Sequence, residues 1–164
     1  MEFITHTTNW IKGELLESTL IITFSILLLI SAFLFWKFGA TPNAKVIILP
    51  LAIVGLLLCS VGASMYVSNQ KRLTESKLKL EPNSVEFIQF EKKRVEAFQY
   101  MYQISKGIAV VTFVFAIFAF GFTKNATIQG IAIALLIVGI SGLIIDYFSE
   151  ERAAIYYSEI LKQL

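Results

Sequence analysis

The sequence has very few of the residues on which most catalytic and metal sites depend. Its 164 residues include one cysteine, Cys59, and one histidine, His6. A single cysteine excludes a disulfide framework and a zinc site built on cysteines. A single histidine excludes a two-histidine metal site within one chain, and any Ser-His-Asp triad would have to use His6. The sequence also lacks a glycine-rich phosphate loop, a zincin motif and a nucleotide-binding fingerprint. We therefore expect no enzyme activity, no metal and no cofactor.

Charge is scarce as well. Charged residues make up 16% of the chain and hydrophobic residues 56%, and the mean hydropathy is +0.70. A soluble domain carries roughly 25% charged and about 45–50% apolar residues. The polar side chains are too few to cover a soluble globule, and intrinsic disorder requires the opposite composition. The net charge of +2 gives no bias toward nucleic acid. These values predict a membrane protein.

Four uncharged stretches approach the roughly 20 residues that a helix needs to cross a hydrocarbon core of about 30 Å. They occupy residues 18–36, 46–67, 107–123 and 127–145. An isolated segment in lipid must satisfy its own backbone hydrogen bonds, so each is expected to be a helix. The pattern predicts an all-α protein in which residues 1–164 form one polytopic membrane domain, a bundle of four transmembrane helices.

The positive charges are distributed unevenly about these spans. With four spans, both termini and the connection between the second and third spans share one side. Eleven of the fourteen Lys and Arg residues lie on that side, and the other three are Lys37, Lys45 and Lys124. Because cytoplasmic loops are enriched in Lys and Arg, both termini are expected on the cytoplasmic side of the membrane. The membrane is expected to be a bacterial inner membrane or another plasma membrane.

The helices are expected to continue beyond the bilayer. Residues 68–106 form a charged connection with one turn cluster at 81–84, and Asn83 with Glu86 fits a capping box for the helix that follows. Residues 146–164 continue the fourth span without a helix breaker. The second, third and fourth helices should therefore extend into a cytoplasmic helical stalk.

Two apolar stripes at helical spacing run along this predicted stalk, and they are expected to pack on each other or on a partner. The first comprises Ile88, Val95, Phe98 and Tyr102, and the second comprises Tyr147, Ala154, Tyr157 and Leu161. The N-terminal segment carries Phe3, Trp10 and Ile11 and is expected to be an interfacial helix that leads into the first span.

Three groups of residues are candidate sites. Small residues at helical spacing predict close helix packing within the bilayer. They are Gly55, Cys59 and Ala63 on the second span and Gly130, Ala134 and Gly139 on the fourth. A polar site at the membrane boundary is predicted at Asp146, Glu150 and Arg152, where Asp146 either pairs with Arg94, Lys106 or Arg152 or remains hydrated. A partner-binding surface on the stalk is predicted at Lys92, Lys93, Arg94, Glu96 and Tyr102.

The spans contain no ionisable residue in their middles, and the stalk's basic residues alternate with glutamates nearly charge for charge. The first feature disfavours a proton carrier, and the second disfavours binding of nucleic acid. We expect a protein that acts by binding another protein, such as an immunity protein against a membrane-acting toxin or an accessory subunit of a membrane complex. An oligomeric channel or small transporter is the alternative, and a homo-oligomer remains open.

Overall fold

The computed structural model describes residues 3–78 and 84–164, with backbone alone for 76–78. Of these residues, 93% are helical. In chain order the helices are α1 (Phe3–Phe38), α2 (Pro42–Val46), α3 (Ile48–Leu78), α4 (Val85–Phe122) and α5 (Ala126–Leu161). The predicted capping residue Asn83 and most of the predicted turn lie outside the described residues.

Four helical segments are long and apolar enough to cross a membrane: α1, α2 and α3 taken together, α4 and α5. This confirms the prediction of four helices that could span a membrane. The helices α1, α4 and α5 have 36, 38 and 36 residues, respectively. At 1.5 Å per residue each is about 55 Å long, which is nearly twice the thickness of a hydrocarbon core. All four segments therefore continue past their uncharged stretches.

Local sequence explains where the helices begin. The side chain of Ser84 accepts a hydrogen bond from the backbone N–H of Phe87 at the start of α4, and Asn125 accepts two at the start of α5. These bonds satisfy N–H groups that have no partner within the helix. Pro50 has no N–H to donate to the carbonyl of Val46, so the helix is interrupted between α2 and α3.

The bundle consists of two hairpins. In one α1 packs along α3, in the other α4 packs along α5, and α5 also contacts α1 and α3. Glycines bring the helices close together: a Cβ atom on Gly62 would lie 2.9 Å from Ile22 of α1, and one on Gly139 would lie 2.4 Å from Thr112 of α4. Small residues at such contacts let helix backbones approach each other closely in lipid.

One end of the bundle, comprising residues 3–17, 68–78, 84–106 and 146–164 and here called the polar end, has an apolar core of its own. The core joins side chains from three helices, namely Phe3, Trp10, Ile11, Phe87, Ile88, Val95, Ala153, Tyr156 and Ile160. The N-terminal segment is thus the continuous first part of α1 and contributes to this core. The predicted helix that leads into the first span is present, and its Phe3, Trp10 and Ile11 side chains are buried in this core.

The two predicted stripes differ in outcome. On α4, Ile88, Val95 and Tyr102 are buried, as the seven-residue spacing predicts, whereas Phe98 is 36% exposed and lies beside the guanidinium of Arg72. On α5 the buried face comprises Ala153, Tyr156 and Ile160, whereas Tyr147 and Leu161 are exposed. The predicted stripe on α5 was therefore displaced by about one residue. Tyr156 rather than Tyr157 is buried because its hydroxyl has buried hydrogen-bond partners on α1 and α4.

Candidate functional site

The most unusual feature of the polar end is a group of charged side chains inside its core. Glu91 on α4 is 3% exposed, and its carboxylate pairs with Arg94 one turn further along. The hydroxyl of Tyr156 on α5 donates to Oε2 of Glu91 at 2.9 Å and shares a second hydrogen bond with Thr7 of α1, at 2.8 Å. This Glu91 cluster therefore links α1, α4 and α5.

Aromatic rings surround the Glu91 cluster. The indole of Trp10 stacks on the ring of Tyr156 with the centroids 5.0 Å apart, and the guanidinium of Arg94 lies 4.5 Å from the Trp10 ring. Burial lowers the pKa of Arg94, although Glu91 opposes this effect. Burial and the nearby Glu91 carboxylate raise the pKa of Tyr156, so this phenol stays protonated and remains a donor.

A second buried cluster lies between α1 and α5. Nη2 of Arg152 pairs with Glu17 and with Oε1 of Glu14, the latter at 3.1 Å. Both glutamates are less than 10% exposed. Ser149 donates to Oε1 of Glu14 at 3.4 Å, and the hydroxyls of Ser149 and Tyr102 lie 3.3 Å apart. In this Glu14–Glu17 cluster two carboxylates face one guanidinium.

The predicted boundary site is divided between two places. Lys106 donates to Oε2 of Glu150 at 2.8 Å, and Asp146 has a hydrogen bond with the side chain of Ser105. These two carboxylates therefore face α4, whereas Arg152 faces α1. Oδ2 of Asp146 is buried and has no hydrogen-bond partner within the part of the chain that the structure describes. Across residues 3–78 and 84–164, no three His, Cys, Asp or Glu side chains are grouped to hold a metal ion.

The five residues of the predicted partner-binding surface do not share a face. Tyr102 is buried and Arg94 belongs to the Glu91 cluster. Lys92 and Glu96 lie 4.0 Å apart along α4, and Tyr157 of α5 donates to Glu96 at 2.7 Å. Lys93 and Glu96 are exposed, and Lys92 is partly exposed. Arg94 is turned inward by its pairing with the buried Glu91.

The predicted packing residues occupy varied positions. Gly55 is buried against α1, where a Cβ atom would lie 2.9 Å from Leu29. Gly139 and Ala134 are buried, and Gly130 lies beside the backbone of Val46. Cys59 is half-buried, and Ala63 is exposed on the outer side of α3.

A second apolar stripe on α4 is uncovered. Its members alternate at spacings of four and three residues: Ala97, Met101, Ile104, Ile108, Val111 and Phe115. All six are exposed, because the backbone of α4 packs against α5 alone within the described parts of the chain. Sequence reasoning missed this outer stripe, although its spacing is visible in the sequence and differs from that of the buried face.

Both buried clusters join helices that are distant in sequence. Charges taken out of water cost several kcal/mol each unless they are paired, so misaligned helices would leave these groups without partners. The clusters therefore favour one register between the two hairpins. No protein-family model matches the chain, and neither a curated protein nor a solved structure matches it.

Proposed function

We propose that this protein acts by binding another integral membrane protein. It would do so as an immunity protein against a membrane-acting toxin or as an accessory subunit of a membrane complex. In this proposal the polar end forms a cytoplasmic stalk, with both termini in the cytoplasm of a bacterial inner membrane or beneath another plasma membrane. The excess of Lys and Arg at this end supports that orientation.

The outer stripe of α4 is the observation that carries the proposal. Met101 and Ile104 are each 48% exposed and precede the uncharged stretch of α4, which begins at Gly107. The exposed apolar residues of α4 beyond Gly107 can contact lipid, but side chains in the polar end face water or head groups. Burying such apolar area on a partner gains about 25 cal/mol per Å².

The spacing of the outer stripe indicates the kind of partner. Apolar residues that alternate at four and three positions form the seam by which one helix packs lengthwise against another. The stripe runs from Ala97 to Phe115 without interruption. A partner helix could therefore follow α4 from the polar end into the bilayer, an arrangement that suits another membrane protein.

The proposal is tested by co-purification in mild detergent. The double variant Met101→Lys/Ile104→Lys should weaken capture of the partner by at least about tenfold, because both residues lie on the outer stripe. The matched control is Gln99→Lys/Gln103→Lys, which adds the same charges to exposed positions on the same helix but off the stripe. The control should retain the partner.

Two results would contradict the proposal. One is equal capture by both double variants. In the other, no protein co-purifies and the purified chain conducts ions in liposomes. That result would favour the oligomeric channel or small transporter. If the partner is a second copy of this chain, Ile104→Cys in a Cys59→Ser background should form a disulfide crosslink between the two copies.

A further inference from the structure

A cleft of about 510 Å³ separates α1 from α5 on the side of the Glu14–Glu17 cluster. Its walls are mostly apolar and include Leu20 and Phe24 of α1, Leu58 of α3 and Ile144 of α5. The volume lies within the range of about 300–1,000 Å³ that is typical of small-ligand sites. Leu20 is 61% exposed and Ile144 is 55% exposed, so the cleft opens sideways.

The cleft lies where the uncharged stretch of α1 begins. Glu17 closes one end, Ser18 starts the uncharged stretch, and Phe24 lines the wall further in. The rise from Glu17 to Phe24 is about 10 Å at 1.5 Å per residue, compared with about 15 Å for half of a hydrocarbon core. Because the opening faces the bilayer, the molecules that surround it are lipid acyl chains.

The end of the cleft beside the Glu14–Glu17 cluster contains buried polar atoms. Glu17 is 7% exposed and lines the cleft, and its Oε1 has no hydrogen-bond partner among the described residues. Nε of Arg152, which also lines the cleft, is likewise buried without a partner in this part of the chain. Leaving such atoms unsatisfied is costly. Oε1 needs a donor and Nε needs an acceptor, so a ligand that supplies both would satisfy the site.

The net charge of the Glu14–Glu17 cluster indicates whether the donor or the acceptor of the ligand matters more. Glu14 and Glu17 share the single cation Arg152, so the cluster carries one negative charge in excess. A purely anionic ligand would be repelled by that charge, whereas a cationic group with N–H donors would be attracted. The remaining walls offer apolar surface, which suits a hydrocarbon chain.

We propose that the cleft binds one phospholipid with a primary ammonium head group, of the phosphatidylethanolamine type. One acyl chain lies along Leu20 and Phe24, the ammonium donates to Oε1 of Glu17, and the phosphate accepts from the Arg152 guanidinium. The site is separate from the outer stripe of α4, so binding of lipid does not depend on the proposed protein partner.

The first test uses the unaltered protein. Delipidated chain in detergent is titrated with phosphatidylethanolamine, phosphatidylcholine or phosphatidylglycerol, and bound lipid is counted by native mass spectrometry while thermal unfolding is followed. We expect one tightly held phosphatidylethanolamine and a rise in Tm on the order of 5 °C at about a hundred times its Kd. Phosphatidylcholine, whose quaternary ammonium has no N–H, and phosphatidylglycerol, which has no cation, should bind on the order of tenfold more weakly.

The second test uses matched variants. Glu17→Gln should reduce affinity for phosphatidylethanolamine on the order of tenfold, because a charge-assisted hydrogen bond is lost. Glu75→Gln is the control, since it removes the same charge from an exposed glutamate that pairs with Lys71 and does not line the cleft. Ser141→Phe places a ring within the cleft and should reduce the binding of all three lipids.

Three outcomes would overturn the proposal. Equal affinity for the three lipids, unchanged by Glu17→Gln, would remove head-group recognition. Lipid retention that Ser141→Phe does not alter would place the lipid elsewhere. Loss of a co-purifying protein in Ser141→Phe, with lipid binding unchanged, would make a partner helix the occupant of the cleft.

Discussion

Tyr156 on α5 and Arg94 on α4 both bind Oε2 of Glu91, and the Tyr156 hydroxyl also shares a hydrogen bond with Thr7 on α1. Hence one buried phenol connects three helices. A buried carboxylate is costly unless it is paired, so the placement of Glu91 depends on both neighbours.

Replacing Tyr156 by phenylalanine should destabilise the polar end while preserving its packing. The ring stack on Trp10 remains, but Glu91 and Thr7 each lose a buried hydrogen bond. We expect the free energy of unfolding to fall by about 1–3 kcal/mol. Reversible unfolding in mixed micelles measures this change. Tyr100→Phe, at an exposed position of α4, should have an effect below about 0.5 kcal/mol.

The raised pKa of Tyr156 gives the stability a dependence on alkaline pH. The folded protein holds the phenolic proton more tightly than the unfolded chain, whose tyrosines titrate near pH 10. The stabilisation is therefore fully present below about pH 10 and is lost as the pH rises above it. Unfolding measured from about pH 8 to about pH 11 should show a decline that is shallower in Tyr156→Phe. An identical decline in that variant would contradict the assignment.

Arg152 should be far more important for stability than an arginine or lysine in an exposed pair. Arg152→Met leaves Glu14 and Glu17 buried without a cation and should cost about 3 kcal/mol. The control is Lys71→Met, which breaks a 3.9 Å pair whose side chains are 77% and 57% exposed, and its cost should stay below about 1 kcal/mol. Adding Glu14→Gln and Glu17→Gln to Arg152→Met should restore part of the loss. Equal effects of Arg152→Met and Lys71→Met would refute the buried-cluster interpretation.

Packing between α4 and α5 should be sensitive to one glycine and insensitive to another. A Cβ atom on Gly139 would lie 2.4 Å from Oγ1 of Thr112, a stiff β-branched side chain, so Gly139→Ala should destabilise the bundle by about 1–3 kcal/mol. At Gly107, no atom of residues 3–78 or 84–164 lies within 4 Å of such a Cβ. Gly107→Ala should therefore be neutral or stabilising, by up to about 1 kcal/mol. Thermal unfolding of both variants in one detergent compares them directly.

The proposed orientation can be measured with single cysteines in a Cys59→Ser background. A thiol reagent that does not cross membranes should label Lys124→Cys in intact cells, because this residue lies in the short connection between α4 and α5. Lys71→Cys should be labelled only after the membrane is permeabilised. The reverse pattern would place the polar end outside the cell.

The spans could be predicted because uncharged runs of this length have one stable conformation in lipid. The buried face of α4 could be predicted because Val95 and Tyr102 are seven residues apart. The buried face of α5 could not be chosen reliably, since Tyr156 and Tyr157 are adjacent and both aromatic. The choice depends on hydroxyl partners 149 and 65 residues away. The burial of Glu14, Glu17 and Glu91 could not be predicted, because acidic residues are rarely buried unless they are paired. Their partners are set by tertiary structure, which composition and spacing do not encode.

The pairing of Arg152 with Glu14 and Glu17 joins residues 138 and 135 positions apart. A ribosome therefore delivers the two carboxylates to the membrane long before it makes the cation that pairs with them. Until residue 152 has been made, both carboxylates lack this partner. The ion pair that aligns α1 with α5 therefore forms only after most of α5 has been synthesised.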